Sequence, residues 1–376
     1  MRPISFVSAL LACLILGGLG ALTIADLFDG PGTARQEFEA STPATPKSAS
    51  GLKRFVSDAR YYVGKRYALK EDFVTWNGLA KLAAFGHSPA ENVGLGKGGF
   101  LFLLGEGAVE ITQGQGRMDD AEKADWTGAF KEAREAFAKE GIVYGFLIGP
   151  NKHTIYPDLL PSWLQAAPKA ETRTADVMAA AAEAFGPDFN DPRVLLSEAR
   201  VAAPLVALYH PTDTHWTELG AALAVHDKLN AMGLDVPRPT YEVADLPRSG
   251  DLSRMIGQQQ RWSAKGPVLP PEWACRDEAG DTIDVITIDP LMPSRFTCGT
   301  PSGRAERLVV FHDSFGVSAI PYIAAHFQQV EFIWNDEADP AEAVRLGADY
   351  VLHIQVERKM TTTDPTRFLK RPTSNP

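Results

Sequence analysis

Apolar runs alternate with amphipathic stretches along the middle of the chain, and this alternation predicts an α/β fold. A helical stripe of apolar residues runs from Asp119 to Glu140 and ends at Gly141. The short apolar run Ile142–Ile148 follows and is typical of a buried strand. The other predicted elements are strand Pro204–Tyr209, helix Thr217–Met232, strand Leu308–Phe311, helix Val317–Phe327 and strands Val330–Trp334 and Tyr350–Ile354. The pattern predicts a sandwich of helices around a mostly parallel sheet, and such sheets gather ligand chemistry beyond the carboxyl ends of their strands.

The N-terminal segment has a different pattern, with 22 uncharged residues from Ile4 to Ala25 after Arg2. A helix of this length would cross the ~30 Å hydrocarbon core of a membrane. A basic start followed by an apolar run is also the plan of a secretory signal, and Thr23-Ile24-Ala25 offers small residues for cleavage. Residues 1–26 are therefore predicted to be a signal peptide or a retained signal-anchor, and both predict export.

Three further boundaries follow from composition. Residues 27–55 are rich in Thr, Pro, Ser and Ala and are predicted to be a linker. Residues 56–360 are predicted to form the main folded domain, interrupted by a less regular insertion at 235–303, and residues 361–376 are predicted to form a tail.

Charge and cysteine content narrow the class of protein. The 376 residues carry 37 Lys and Arg against 47 Asp and Glu, a net charge of −10, which argues against a nucleic-acid-binding protein. Three cysteines are too few for a disulfide scaffold, and no Cys/His cluster predicts a metal site. In an oxidising compartment, Cys275 and Cys298 are predicted to form a disulfide.

Two motifs lie where the predicted strands give way to helices. In His210-Pro211-Thr212-Asp213-Thr214-His215-Trp216, Asp213 can hold or tune the imidazole of His215. In His312-Asp313-Ser314-Phe315-Gly316, Ser314 stands at a strand-to-helix turn whose backbone N–H groups can stabilise an oxyanion. Each motif alone has a simpler explanation, since Asp-x-His also ligates metals and Ser also caps helices. Together they supply the nucleophile, base and orienting acid of a serine hydrolase or acyltransferase.

The motifs also resemble a known family, the AlgX/AlgJ group of alginate O-acetyltransferases, which are SGNH-hydrolase-like proteins of the bacterial periplasm. The resemblance rests on four motifs in the family's order, over about residues 85–355. These are Val93–Phe102 with its Gly-Lys-Gly-Gly, Gly149–Pro161 with its Pro-Asn-Lys and Tyr-Pro-Asp-Leu-Leu-Pro, Thr212–Thr217 followed by Gly220, and Asp313–Gly316. The resemblance implies an SGNH-hydrolase-like sandwich with circularly permuted motif order. His312 departs from the family pattern, and the short chain after Ser314 favours the AlgJ type, without a carbohydrate-binding module.

By this resemblance Ser314 is the nucleophile, His215 the general base and Asp213 its orienting partner. Asn151, Lys152 and Trp216 are candidate substrate-binding residues: an oxyanion donor, a contact for an anionic sugar and a stacking surface. The alternatives are a solvated turn for Lys152 and packing beneath the catalytic loop for Trp216. No cofactor or metal is expected.

The resemblance further implies a periplasmic enzyme that acetylates an exopolysaccharide such as alginate. If the first segment is retained, it would hold the enzyme at the inner membrane. It implies a membrane-bound acyltransferase that supplies acetyl groups, along with other polysaccharide-modification or export proteins. Two alternatives stay open: a carbohydrate acetylesterase with the same triad, and a non-catalytic component of a polysaccharide export complex.

Overall fold

A computed structural model describes residues 76, 78, 82, 86–246, 250–258, 264–276 and 295–371. The chain divides into two compact units, Met1–Pro89 and Ala90–Pro376, and the description below concerns the second. The predicted signal segment 1–26 and linker 27–55 lie outside the described residues. Within the described ranges, no helix is long and apolar enough to cross a membrane.

A five-stranded sheet forms the centre of the second unit, in the order β3-β9-β7-β8-β6. Strands β3, β9, β7 and β8 are parallel, and β6 pairs with β8 in the antiparallel sense. The hairpins β1–β2 and β4–β5 lie outside this sheet. The strands are β1 Val93–Leu95, β2 Leu101–Leu103, β3 Val143–Gly149, β4 Glu242–Leu246, β5 Ala264–Val268, β6 Arg295–Cys298, β7 Leu308–His312, β8 Val330–Trp334 and β9 Tyr350–Val356. The prediction of a mostly parallel sheet is confirmed.

Helices cover the sheet on both faces. The helices are α1 Ala108–Thr112, α2 Asp120–Lys139, α3 Lys152–Ile155, α4 Arg173–Phe185, α5 Pro192–Ala202, α6 Glu218–Ala231, α7 Asp251–Met255, α8 Ser314–Val317, α9 Ile320–Ala324 and α10 Pro340–Arg345. Alternate side chains of the central strand β7 enter two separate cores, as the two-residue period of a strand requires. Leu308 and Val310 pack in the core with α6 and α9, whereas Val309 and Phe311 pack in the core with α2 and α4. The sheet is therefore buried on both faces, which explains the uninterrupted apolar runs in the sequence.

Two predicted elements differ from the structure. Residues Pro204–Leu208 form turns and bends instead of a strand, and Tyr209 makes only an isolated antiparallel bridge with Trp216, because helix α5 extends to Ala202 and the chain then folds back locally. The predicted helix Val317–Phe327 begins earlier, at Ser314, and is divided into α8 and α9.

The predicted insertion 235–303 is also less separate than expected. Its residues Arg295–Cys298 form β6, an edge strand of the central sheet. Cys275 and Cys298 are joined by a disulfide, with their Cα atoms 5.6 Å apart. The disulfide ties this edge strand to the segment that follows β5.

Candidate active site

The loop that carries Asp213 and His215 folds back on itself before helix α6. The backbone N–H of Thr217 donates to the carbonyl of Leu208 at 2.9 Å. The loop comes so close to α6 that a Cβ at Gly220 would lie 2.3 Å from the Leu208 carbonyl oxygen. A glycine is therefore required at this position of the motif.

Asp213 and His215 form a direct pair. Asp213 Oδ1 lies 2.6 Å from His215 Nδ1 and also accepts the His215 backbone N–H at 3.0 Å. Burial alone would raise the pKa of Asp213, but the hydrogen bond and charge of His215 with two backbone N–H donors together lower it well below its ordinary value. Because an ionised carboxylate only accepts hydrogen bonds, Nδ1 carries the imidazole proton. His215 Nε2 is buried and has no hydrogen-bond partner among the described residues, so the basic nitrogen is available to take a proton.

Ser314 lies at the sharp turn from the central strand β7 into α8. Asp313 shapes the turn, since its carboxylate accepts the backbone N–H groups of Phe315 at 2.9 Å and Val356 at 2.8 Å. The helix passes so close to β7 that a Cβ at Gly316 would lie 2.4 Å from the Cβ of His312. The turn places a half-buried serine at the carboxyl end of the central strand.

The first turn of α8 is less open to an oxyanion than the sequence suggests. The Phe315 N–H is taken by the Asp313 carboxylate, and the Gly316 N–H donates to the Asp313 carbonyl at 3.0 Å. The N–H groups of Phe315 and Gly316 are therefore not free to stabilise an oxyanion, contrary to the expectation from the sequence.

Trp216 joins the two motifs. Its indole N–H donates to the Phe315 carbonyl at 2.9 Å, and the ring centroids of His215 and Phe315 lie 5.2 Å apart. Trp216 itself is 0% exposed, so the predicted stacking on a sugar ring is wrong: the indole packs beneath the site.

No hydrogen bond between Ser314 Oγ and His215 Nε2 is formed in the described part of the chain, as is common before substrate binds.

Asp251 is a part of the site that the sequence did not reveal. Its carboxylate accepts the backbone N–H of Thr214 at 2.8 Å and the Thr214 hydroxyl at 2.5 Å. Its own backbone N–H donates to Asp213 Oδ2 at 2.9 Å. Burial, and then the charge of Asp213, raise the pKa of Asp251. The contact depends on Gly250, where a Cβ would lie 2.1 Å from the Thr212 carbonyl oxygen.

Asp213, His215 and Asp251 also offer ligand atoms within 4.8 Å of one another, as a metal site would. Their oxygen atoms are already engaged by hydrogen bonds within the loop, which accounts for the cluster without an ion. The contact of Asp251 with the Asp213–His215 loop could not be predicted from the sequence, because Gly250-Asp251-Leu252 lies in a stretch with little periodicity.

Lys152 is buried and binds the backbone next to the Asp213–His215 loop. It is 2% exposed, and its Nζ donates to the carbonyls of Leu101 at 2.8 Å and Pro211 at 3.2 Å. Burial lowers the pKa of Lys152 to about 7, although the carboxylates of Asp213 and Asp251 raise it. The predicted contact with an anionic sugar is therefore wrong, because the ammonium group is enclosed and linked to two backbone carbonyls.

Asn151 occupies the adjacent position at the carboxyl end of β3. Its side chain is 3% exposed, and its Nδ2 has no hydrogen-bond partner among the described residues. Glu357, at the end of β9, accepts the Asn151 backbone N–H at 2.6 Å and the hydroxyls of Thr154 at 2.8 Å and Thr174 at 2.5 Å. Glu357 thus holds the backbone of Asn151 in place. The sequence alone does not predict this role for Glu357.

The remaining family-like motifs pack around the same loop. The Leu101 backbone N–H donates to the Pro211 carbonyl at 2.8 Å. The Tyr156 hydroxyl accepts the Leu208 backbone N–H at 3.0 Å, and the Tyr209 hydroxyl donates to the Pro150 carbonyl. Segments that are far apart in sequence therefore hold one loop in place.

A cavity of about 390 Å³ lies near the amino end of β3, with Tyr144, Phe185 and Met232 among its lining residues. It is at the opposite end of that strand from Asn151 and is unrelated to the Asp–His–Ser group.

Comparison with known proteins identifies the family. The family model described as "SGNH hydrolase-like domain, acetyltransferase AlgX" matches residues 93–280, which is half of the chain. A comparison with curated protein sequences gives no match.

Several solved structures resemble the fold. Bacillus cereus PatB1 with a sulfonyl adduct aligns at a TM-score of 0.50 and 13% identity, covering 72% of this chain and 98% of PatB1. The O-acetyltransferase domain of Pseudomonas putida AlgJ aligns at a TM-score of 0.44 and 13% identity, covering 73% and 93% of the two chains. Pseudomonas aeruginosa AlgX aligns at a TM-score of 0.40 and 11% identity, covering 72% and 63%.

The family match includes the Asp213–His215 loop and the motifs that pack on it. Ser314 and β9 follow the matched residues, and β9 pairs with β3 in the same sheet. The chain belongs to the AlgX family of SGNH hydrolase-like acetyltransferase domains.

Proposed function

We propose that this protein is an O-acetyltransferase that acetylates an exopolysaccharide through an acetyl-serine intermediate on Ser314. The observation that carries the proposal is the Asp213–His215 pair, whose Nε2 has no hydrogen-bond partner among the described residues and whose loop is joined to the Ser314 turn by the Trp216–Phe315 hydrogen bond. Acyl transfer through a serine requires such a base on a loop that is joined to the turn carrying the nucleophile.

In this mechanism His215 Nε2 takes the hydroxyl proton of Ser314 as Oγ attacks the acyl carbonyl carbon. The carbonyl electron pair moves onto oxygen, and its return expels the leaving alcohol or thiol, which receives the proton from His215. The product is acetyl-Ser314. A sugar hydroxyl then attacks the same carbonyl and gives its proton to Nε2. Collapse of the tetrahedral intermediate expels Ser314 Oγ, which takes this proton back from His215. Asp213 stabilises the imidazolium that forms in each half-reaction.

The oxyanion needs donors that are not already engaged. Because Asp313 occupies the N–H groups of Phe315 and Gly316, the proposed donors are the backbone N–H of Ser314 and the side-chain amide of Asn151. The Asn151 amide is buried and unpaired among the described residues, so an acceptor oxygen arriving from substrate would relieve an unsatisfied donor.

The substrate side of the proposal rests on the family. We infer a uronate polymer such as alginate as the acceptor, a membrane-bound acyltransferase as the source of acetyl groups, and a periplasmic location reached through residues 1–26. The net charge of −10 opposes a polyanionic acceptor at long range, so acceptor identity is the part of the proposal that most needs measurement.

The test is incubation of the protein with mannuronate oligomers and an activated acetyl ester, read by mass spectrometry of the oligomers. A gain of acetyl groups that is abolished in Ser314→Ala supports a transferase. Loss of acetyl groups from pre-acetylated oligomers, with no gain in the first reaction, would identify an acetylesterase with the same triad. If neither reaction depends on Ser314, the protein is a non-catalytic component and the proposal is wrong.

A further inference from the structure

A row of aromatic side chains on one face of the sheet ends beside the Ser314 turn. The rings of Phe296 and Phe332, on β6 and β8, stack with their centroids 5.2 Å apart. The centroid of His312, on β7, lies 6.2 Å from that of Phe332 and 5.7 Å from that of Trp334. Trp334 is the last residue of β8 and is 39% exposed. The row therefore presents one indole to solvent at the carboxyl end of the sheet.

Strand register places Trp334 close to Ser314. Trp334 is paired with His312 across β8 and β7, and Ser314 follows His312 by two residues. Because consecutive Cα atoms are ~3.8 Å apart and neighbouring strands ~4.8 Å apart, the Cα atoms of Trp334 and Ser314 lie within about 13 Å of each other. Two linked sugar rings can bridge such a distance between an indole and a serine.

The indole is on the same face of the sheet as Trp216. Phe332, two residues before Trp334, packs in the core that contains Trp216 and Phe315, and side chains two residues apart on a strand share a face. Asn151, the proposed oxyanion donor, follows β3, which lies on the other side of β7 from β8 in the strand order. An acyl carbonyl oxygen can therefore face β3 while an acceptor approaches from β8.

His312 fixes the indole from below. The imidazole is 1% exposed, and its Nδ1 lies 2.8 Å from the Asp313 carbonyl oxygen, to which it donates. Burial lowers the pKa of His312, so the ring beneath Trp334 is neutral at pH 7. This position is also where the Asp-Ser motif departs from the pattern of the family. The contact with Trp334 gives the unusual histidine a role beside the nucleophile.

The charged residues that follow Trp334 are balanced. The Asp336 carboxylate pairs with Lys359, and the Glu337 carboxylate pairs with Arg367 at 3.3 Å. These four side chains carry no net charge together. The surface beside the indole therefore suits a sugar ring with or without a carboxylate.

We propose that Trp334 is a stacking platform for a pyranose ring of the acceptor polysaccharide. The inference rests on the proposed function and adds to it the surface that binds the acceptor next to the acetylated serine. The apolar C–H face of one pyranose packs on the indole, and the neighbouring sugar of the polymer places a hydroxyl group at acetyl-Ser314. Because His312 already holds the indole in place, stacking costs little side-chain entropy.

The experiment measures how the acetyl-enzyme divides between an acceptor and water. Wild type, Trp334→Ala and Trp334→Phe receive 4-nitrophenyl acetate with increasing concentrations of mannuronate oligomers or, in a second series, of neutral cello-oligosaccharides. The ratio of acetylated oligomer to free acetate is plotted against acceptor concentration. Since both products come from the same acetyl-enzyme, the fraction of folded protein cancels. The slope should fall about tenfold in Trp334→Ala, equivalent to about 1.4 kcal/mol of acceptor binding, and less in Trp334→Phe, which keeps an aromatic face.

Tyr241→Ala is the matched control, because Tyr241 is also 39% exposed and directly precedes β4, outside the central sheet. Its slope should equal that of wild type. An unchanged slope in Trp334→Ala, with oligomers still acetylated in a Ser314-dependent way, would overturn the inference and leave the proposed function standing. If neither series gives acetylated oligomer that depends on Ser314, the transferase function and the stacking platform fall together.

Discussion

Trp216 donates its indole N–H to the backbone carbonyl of Phe315 at 2.9 Å, linking the residue after His215 to the residue after Ser314. The two residues are 99 positions apart in sequence, yet their rings lie 5.1 Å apart in the same core. The segments that carry the base and the nucleophile are thus joined by a buried contact beneath them.

Replacing Trp216 by Phe should lower kcat about tenfold to a hundredfold, because the loss of this hydrogen bond allows the His215 loop to shift relative to Ser314. The Phe315 carbonyl would also be left without its donor, at a cost of about 1–3 kcal/mol in the free energy of unfolding. Ester turnover and urea unfolding measure the two effects. Trp126→Phe is the control, because Trp126 is equally buried and its indole N–H has no partner among the described residues. An equal loss of kcat in both variants would mean that Trp216 acts only through general packing.

Asp251 should matter for activity even though it does not touch the reacting atoms. In Asp251→Ala the backbone N–H that reaches Asp213 remains, but both contacts with Thr214 are lost. We expect kcat/KM to fall about tenfold, because the loop between Asp213 and His215 loses its anchor. Asp339→Ala is the comparison, since Asp339 caps helix α10 away from the site. Removal of such a cap costs about 1 kcal/mol, and turnover by that variant should be unchanged.

The buried Lys152 predicts a pH dependence of stability. Its pKa is lowered by burial to about 7 in the folded protein and is about 10.4 in an unfolded chain. Between these values the unfolded state binds more protons, so the contribution of Lys152 to stability rises with pH, by up to about 1.4 kcal/mol per pH unit. The free energy of unfolding of wild type minus that of Lys152→Met should therefore increase from pH 7 to pH 9. A flat or falling difference would show that Lys152 keeps an ordinary pKa.

The disulfide is expected to contribute stability and not chemistry. It closes a loop of 23 residues, for which the chain-entropy model gives about 3 kcal/mol. The double variant Cys275→Ser, Cys298→Ser should lose stability of this order in denaturant unfolding, with ester turnover retained well below its Tm. Wild type treated with a reductant should approach the same stability. If the reduced and oxidised proteins unfold at the same denaturant concentration, the disulfide does not constrain the fold.

The sequence predicted the parts of the fold that depend on local periodicity. The predicted strand Val330–Trp334 has the bounds of β8, and β3, β7 and β9 agree within two residues, because the strands of a sheet covered on both faces tend to be short apolar runs. The error at Pro204–Tyr209 has the same origin. Ala203, Leu205 and Val206 resemble a buried strand in composition, but Leu205 is 99% exposed and the chain there turns toward the His215 loop.

Only those site residues could be predicted whose type and local motif indicate a chemical role. Asp213, His215 and Ser314 could be proposed from two short motifs, whereas Asp251 and Glu357 act through long-range contacts that no local pattern encodes. The side chains of Lys152 and Trp216 are of types that suit contact with a sugar. Their burial depends on tertiary packing, which the sequence alone does not specify.

The central claim is that Ser314 carries the acetyl group, and the most direct measurement is peptide mass spectrometry of protein quenched in acid during turnover of an activated acetyl ester. The account predicts one acetyl group on the peptide that contains Ser314, absent in Ser314→Ala and formed much more slowly in His215→Ala. Rapid turnover in Ser314→Ala, or an acetyl group that accumulates on another residue at the rate of turnover, would contradict it.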